Sequence, residues 1–267
     1  TFRKGWAQLI MPMTLFFIVD LLVTRTLTGR PTDVTPQYLP YGLWFLASLF
    51  CWRLMVVPLG RWRALDWLAW PLALLGLILS GLVPNWWSFA RTLAFFPAFL
   101  FGMLVLPSLE DLLRRTWVRI ASGVLLAAVV VVVWPRAEQL DYAWLQHSSS
   151  YDNLGRQFVA GAFLRSLAVV VGIEVALAVI ALVPSRRFGS LSGLGRFTIY
   201  AYLLHLPVAR MLALWLRPRT HYNPAVSVAI SLAVIPFVLL VMSRPVRRVT
   251  QPMVEPVAFA TSVPVPP

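Results

Sequence analysis

The amino-acid sequence predicts an all-α fold, a polytopic integral membrane bundle of about eight transmembrane helices. Composition is the first ground: 59% of the 267 residues are hydrophobic and only 12% are charged, with a mean hydropathy of +0.76. Soluble domains carry about a quarter charged residues. Pattern is the second: the apolar runs are continuous, where the strands of an outer-membrane barrel would alternate apolar and polar residues. Length is the third, since most runs reach roughly 17–21 residues, the length that about 30 Å of hydrocarbon requires.

The first run, Gly5–Thr24, opens behind Arg3 and Lys4. Tyr41–Leu59 and Leu65–Val83 follow, separated by a short segment with Arg61 and Arg63. Phe89–Leu106 holds Pro97 and is bracketed by Pro84 and Pro107, so a broken or re-entrant span is expected there. Val118–Trp134 contains VVVVV, a β-branched run ordinary in lipid-facing helices. Leu164–Val183, Arg196–Leu216 and Ala225–Met242 complete the set. Residues 1–250 form the membrane domain in this reading, and the Pro-rich residues 251–267 a disordered cytoplasmic tail.

Two connections are long enough to act in chemistry, Arg25–Pro40 and Pro135–Phe163. The second contains DYAWLQHSSSYDNLGRQ, with aromatic and polar residues interleaved. That composition suits a cover over a polar or sugar-like substrate, or a connector with interfacial Trp and Tyr anchors. Neither a repeat nor an inverted symmetry between the halves is visible, which argues against a common transporter architecture.

The formal charge is +13, from 23 basic and 10 acidic residues. In a soluble protein that excess would suggest nucleic acid; in this one it suggests loop chemistry and anionic headgroups. With the N-terminus inside, the inner segments hold Arg3, Lys4, Arg61, Arg63, Arg114, Arg115, Arg119, Arg186, Arg187, Arg196, Arg244, Arg247 and Arg248. The outer ones hold only Arg25, Arg30, Arg136, Arg156, Arg217 and Arg219. The bias predicts a multi-pass plasma-membrane protein with both termini cytoplasmic. Lys4 is the only lysine, a sign of GC-rich coding rather than of function. Cys51 is the only cysteine, which excludes an intrachain disulfide and a thiolate cluster. His147, His205 and His221 lie too far apart to show metal-ligand spacing.

Ionisable groups inside spans are the default functional candidates. Glu174, in VVGIEVALAV, must be paired or protonated, and Arg53 and Arg210 are its candidate partners. Asp20 and Arg25 sit near the outer end of the first span, where an interfacial role is expected. Arg91 lies one turn into its span, placed either to snorkel to the headgroups or to touch substrate. Thr198, Tyr202 and His205 fall at i, i+4 and i+7, so a helix sets them on one face, which should point into protein. A neutral imidazole at His205 could take a proton from an attacking hydroxyl, or serve only as a helix–helix hydrogen bond. Tyr202 could orient it or donate to an oxyanion.

Several separated stretches resemble the membrane acyltransferase 3 family, particularly its fucose 4-O-acetylase-like group. PYGLWFLASLFCWRLMV (Pro40–Val56) is similar to that group's "hLWFL" helix. SFARTLAFFPAFLFGMLV (Ser88–Val105) is similar to its "SRTLxFxPFFLLG" segment. FRKGWAQLIMP (Phe2–Pro12) resembles a basic cytoplasmic helix entry, and GRFTIYAYLLH (Gly195–His205) the segment ending in "YLLH". The stretches occur in the family's order.

The resemblance implies a cell-envelope enzyme, bacterial in type, that moves an acyl group onto a sugar or other hydroxyl acceptor. Acetyl-CoA would be the co-substrate, with no resident cofactor or metal. Arg3 and Lys4 match the position expected to hold the CoA phosphates, with Arg61 and Arg63 as helpers. Trp44, Arg53, Arg91 and Glu174 would line the substrate pocket, and Tyr202 and His205 would stand at the reacting hydroxyl. Two departures bear on this. Gly42 stands where the family's "hLWFL" helix usually carries a His, and the family's proposed catalytic His belongs to a first helix with no counterpart in this chain. The chain corresponds to the family minus two N-terminal helices, so the expectation is either a longer native protein or an inactive homologue. The alternative is a non-catalytic transporter or flippase for a lipid-linked glycan, with Glu174 and the intramembrane arginines lining its pathway.

Overall fold

The computed structural model describes residues 6–29, 39, 42–61, 66–84, 86–139, 142–184, 193–216 and 224–257. Among these there is no strand, and the chain is helical as the continuous apolar runs require. A π-helical turn, Trp6–Ile10, leads into α1 (Met11–Thr28), followed by α2 (Leu43–Arg61), α3 (Asp66–Leu79), α4 (Phe89–Leu104), α5 (Leu106–Leu113) and α6 (Thr116–Val133). Then come the short α7 (Tyr142–Gln146), α8 (Phe158–Leu182), α9 (Thr198–Leu216), α10 (Pro224–Val241) and α11 (Arg244–Val254).

Among the described residues, five helical segments are long and apolar enough to cross a membrane, judged by length and composition: Gln8–Thr28, Trp86–Leu104, Thr116–Arg136, Phe158–Leu182 and Gly195–Leu214. Val228–Val241 and Arg244–Val254 make a sixth if the pair, bent by 80°, is one broken span. The apolar parts of α2 and α3, Leu43–Val57 and Leu68–Leu79, fall short of that length. Side-chain exposure supports a membrane independently. Val130, Val131 and Val132 on α6, and Trp134 just after it, are each more than half exposed, and only 6% of the apolar window of Thr116–Arg136 is buried. An apolar face that continuous is stable only against lipid or another protein.

Two compact units divide the chain: Thr1–Phe50 with Phe188–Pro267, and Cys51–Arg187. In the first unit, α1 packs on α9 and α11. Its buried residues, Pro12, Phe16, Asp20 and Thr24, recur every fourth position and so form one face. Phe16, Leu43, Leu46, Tyr200, Leu203, Leu206 and Val254 share one apolar core. Gly29, at φ 63°, closes α1 with a left-handed cap, its N–H donating to the Arg25 carbonyl. Residues expected to begin the tail at 251 are helical as far as Val254, whose side chain is buried in that core; residues 258–267 lie outside the described residues.

In the second unit, α4 is flanked by α3 and α8, and α6 lies along α8. Small residues let α3, α4 and α8 approach closely, and Leu77, Ala94 and Val169 meet there. Pro97 does not break α4, which runs to Leu104; the chain turns instead at Val105, ahead of Pro107. Pro107 enters the first turn of α5, where its missing N–H has no helical partner to lose. Trp52, from the second half of α2, donates Nε1–H to the Thr92 carbonyl at 2.7 Å and stacks on Phe99.

Candidate functional site

The residues singled out in the sequence fall into both units. Trp44, Tyr202 and His205 belong to the first, and Arg53, Arg91 and Glu174 to the second. Arg3, Lys4, Arg63 and His221 lie outside the described residues.

In the first unit, α9 carries Tyr202 and His205 half-buried one turn apart, ring centroids 5.7 Å apart, while Thr198 at its start is exposed. The expected polar stripe is therefore two residues, not three. Tyr202 is occupied: its hydroxyl donates to the Gly42 carbonyl at the entry to α2, and its ring lies against Phe45. That contact explains Gly42, since a Cβ there would strike the side chain of Leu206. Trp44 is half-buried and sits edge-on to Phe45.

His205 Nδ1 lies 3.1 Å from the Ala201 carbonyl one turn back. A carbonyl only accepts, so the proton of this contact is on Nδ1, and in the neutral form of the ring the lone pair is on Nε2. That is the tautomer a general base needs.

Arg210 does not serve Glu174. Its guanidinium faces Asp20 on α1 at 3.9 Å, and its Nε donates to Thr24 Oγ1 at 3.2 Å. Asp20 faces protein, being 9% exposed. The helical period decides this: Asp20 stands one turn from the buried Phe16 and one turn from the buried Thr24. Glu174 is exposed on α8 and forms no ion pair among the described residues, and Arg53 is exposed on α2. The expected pairing of Glu174 with either arginine is thus not found.

The second unit holds a polar cluster built on the connection between α6 and α8, of which the sequence singles out Arg91 but not Arg165 or Tyr151. Arg165 on α8 is fully buried. It donates to Ser80 Oγ at 2.9 Å and to the Ser149 carbonyl at 2.5 Å, and its guanidinium lies 4.8 Å from the Tyr151 ring centroid. Tyr151 is the plug. Its N–H donates to the Gly81 carbonyl and its hydroxyl to the Ile78 carbonyl, at the turn that ends α3. Its ring fills the space over Gly81 and Gly161, where any Cβ would collide with it. Burial lifts the Tyr151 phenol above its usual pKa, the Arg165 charge offsetting this in part.

His147 is buried beside them, edge-on to Phe95 with centroids 4.8 Å apart. Its Nδ1 has no hydrogen-bond partner among the described residues. Burial, then the charges of Arg165 and Arg91, push its pKa from 6.5 down to about 4, so the imidazole is neutral at neutral pH. Arg91 on α4 is half-buried and donates to Gln146 Oε1 at 3.3 Å. It therefore reaches the α6–α8 connection rather than only snorkelling. Strain gathers here: Trp87, Ser88 and His147 all adopt positive φ, between 50° and 60°. Each such residue costs roughly 1–2 kcal/mol without glycine's freedom.

The described residues contain no group of His, Cys, Asp and Glu able to hold a metal ion. Comparison with protein-family models, with curated proteins and with solved structures finds no match.

Proposed function

We propose that this chain is a membrane-embedded O-acyltransferase that passes an acyl group, acetyl in the simplest case, from acyl-CoA to a hydroxyl of a sugar or surface glycan. The observation that carries the reading is the contact of His205 Nδ1 with the Ala201 carbonyl, 3.1 Å away. Nδ1–H held by the Ala201 carbonyl leaves Nε2 free to take the proton of an acceptor hydroxyl as the alkoxide attacks the thioester. The bond to the thiolate breaks, the acyl group moves to oxygen, and the thiolate leaves as CoA. The imidazole sits on a helix fixed by the Tyr202–Gly42 bond and by the Asp20–Arg210 pair, so its orientation is set by packing. The order of the resembling segments supports acyl-CoA as donor, with Arg3 and Lys4 as the phosphate contacts and both termini cytoplasmic.

The placements favour the transporter reading less. Arg165 and Arg210 are tied into structural contacts, and Glu174 and Arg53 face outward from their helices. The test is acyl transfer in proteoliposomes from labelled acetyl-CoA to a panel of glycans and glycolipids. His205→Gln should lower turnover about 10²–10⁴-fold while leaving the acetyl-CoA KM within a few-fold. Transfer at wild-type rate by His205→Gln overturns the assignment, and transport of a lipid-linked glycan without CoA dependence replaces it.

A further inference from the structure

The second unit contains a groove that no step above uses. Two adjoining cavities of about 320 and 390 Å³ share Leu106 and Ile180 in their walls. The first runs between α4 and α8 over Ala98, Gly102, Gly172 and Ala176. The second continues it to the far end of α8, where Glu110 and Arg114 stand at the mouth. A Cβ added at Gly102 or Gly172 would meet nothing within 4 Å, so the space over both glycines is open.

Length and charge identify the occupant. The stretch of α8 along the first cavity, Val169 to Ile180, rises about 16 Å, close to half of a hydrocarbon core about 30 Å thick. A channel one leaflet long, apolar along its length and ending at the surface where α8 stops, has the dimensions of one acyl chain. Glu110 and Arg114 both line the mouth; beyond the lining, the exposed Asp111 is outnumbered by Arg115, in the turn before α6, and Arg119, one turn further on. Arg114 faces Glu110 at 4.0 Å with both side chains more than half exposed. Such a pair contributes at most about 1 kcal/mol and yields readily to a phosphate.

We propose that this groove is a binding site for one chain of an anionic phospholipid, with the phosphate at Arg114. The inference rests on the membrane reading alone and not on the acyl transfer proposed above.

The experiment is native mass spectrometry of delipidated protein offered equal amounts of phosphatidylglycerol and phosphatidylcholine with identical chains. The expected result is one phosphatidylglycerol retained about tenfold over phosphatidylcholine. Gly102→Leu and Gly172→Leu, which fill the groove, should each reduce that retention about tenfold. Gly123→Leu is the control, since a side chain there also enters open space but on α6, away from the groove. If the filled variants do not fold, Arg114→Gln decides: it should bring phosphatidylglycerol down to the level of phosphatidylcholine. Equal retention of the two lipids by the wild type overturns the proposal. So does equal loss in Gly172→Leu and Gly123→Leu, or displacement of the lipid by palmitoyl-CoA at equal concentration.

Discussion

Acidification should destabilise the second unit through His147, by an amount set by its surroundings. The side chain is 2% exposed, and burial together with Arg165 and Arg91 holds its pKa at about 4, against 6.5 in the unfolded chain. The sign follows from proton binding. The unfolded state takes a proton near pH 6.5 and the folded state resists until about pH 4, so folding loses free energy as pH falls between those values. Above the window the contribution is constant, and below it the loss is complete. The full difference is about 3 kcal/mol, a hundredfold or more in the folding equilibrium. The assay is reversible unfolding in mixed micelles from pH 8 to pH 3.5, comparing wild type with His147→Asn. Asparagine accepts the positive φ at this position and does not titrate. Wild type should lose stability across the window, and the variant should lose about 3 kcal/mol less. Equal slopes would refute the placement of a neutral, buried His147 beside two guanidinium groups.

Other consequences concern packing and topology. Gly81→Ala or Gly161→Ala should cost about 1–3 kcal/mol, because the new methyl drives the Tyr151 ring from its seat; an unfolding curve at neutral pH reads it. Asp20→Ala should cost about 2 kcal/mol by leaving Arg210 without its carboxylate, and Arg210→Met in that background should recover most of it. Tyr202→Phe should cost about 1–2 kcal/mol by orphaning the Gly42 carbonyl, a loss measured by the same unfolding series. Cysteine introduced at Asn153, an exposed position in the α6–α8 connection, should react with an impermeant reagent only from outside the cell; labelling from the cytoplasm would invert the topology.

How much was legible in the sequence differs between helices and site. The apolar runs located every long helix, because backbone groups in hydrocarbon must bond internally and a continuous apolar segment has no other structure to form. Which helices span was less legible. Residue count alone does not separate a full span from the shorter apolar parts of α2 and α3. Pro97 looked like a break, yet α4 continues through it to Leu104, packed between α3 and α8. The burial of Asp20 was legible, since it repeats the spacing of Phe16 and Thr24 on one face of α1. Arg165 was legible in the same way, one turn from both Gly161 and Val169, which are buried with it. Its partners were not. Ser80 and Ser149 lie far away in the chain, and only the fold brings them to the guanidinium. Glu174 was expected to be paired or protonated, and it lies exposed on α8 with no ion pair among the described residues, because the helix turns it away from both candidate arginines.

The most direct test of the central claim is single-turnover acyl transfer by purified protein in proteoliposomes, followed for wild type and His205→Gln with labelled acetyl-CoA and a glycan acceptor. The account predicts transfer to a hydroxyl by the wild type and its loss, by at least about a hundredfold, in the variant that still binds acetyl-CoA. Undiminished transfer by His205→Gln, or no transfer by a wild-type protein that moves a glycan across the bilayer without CoA, would contradict it.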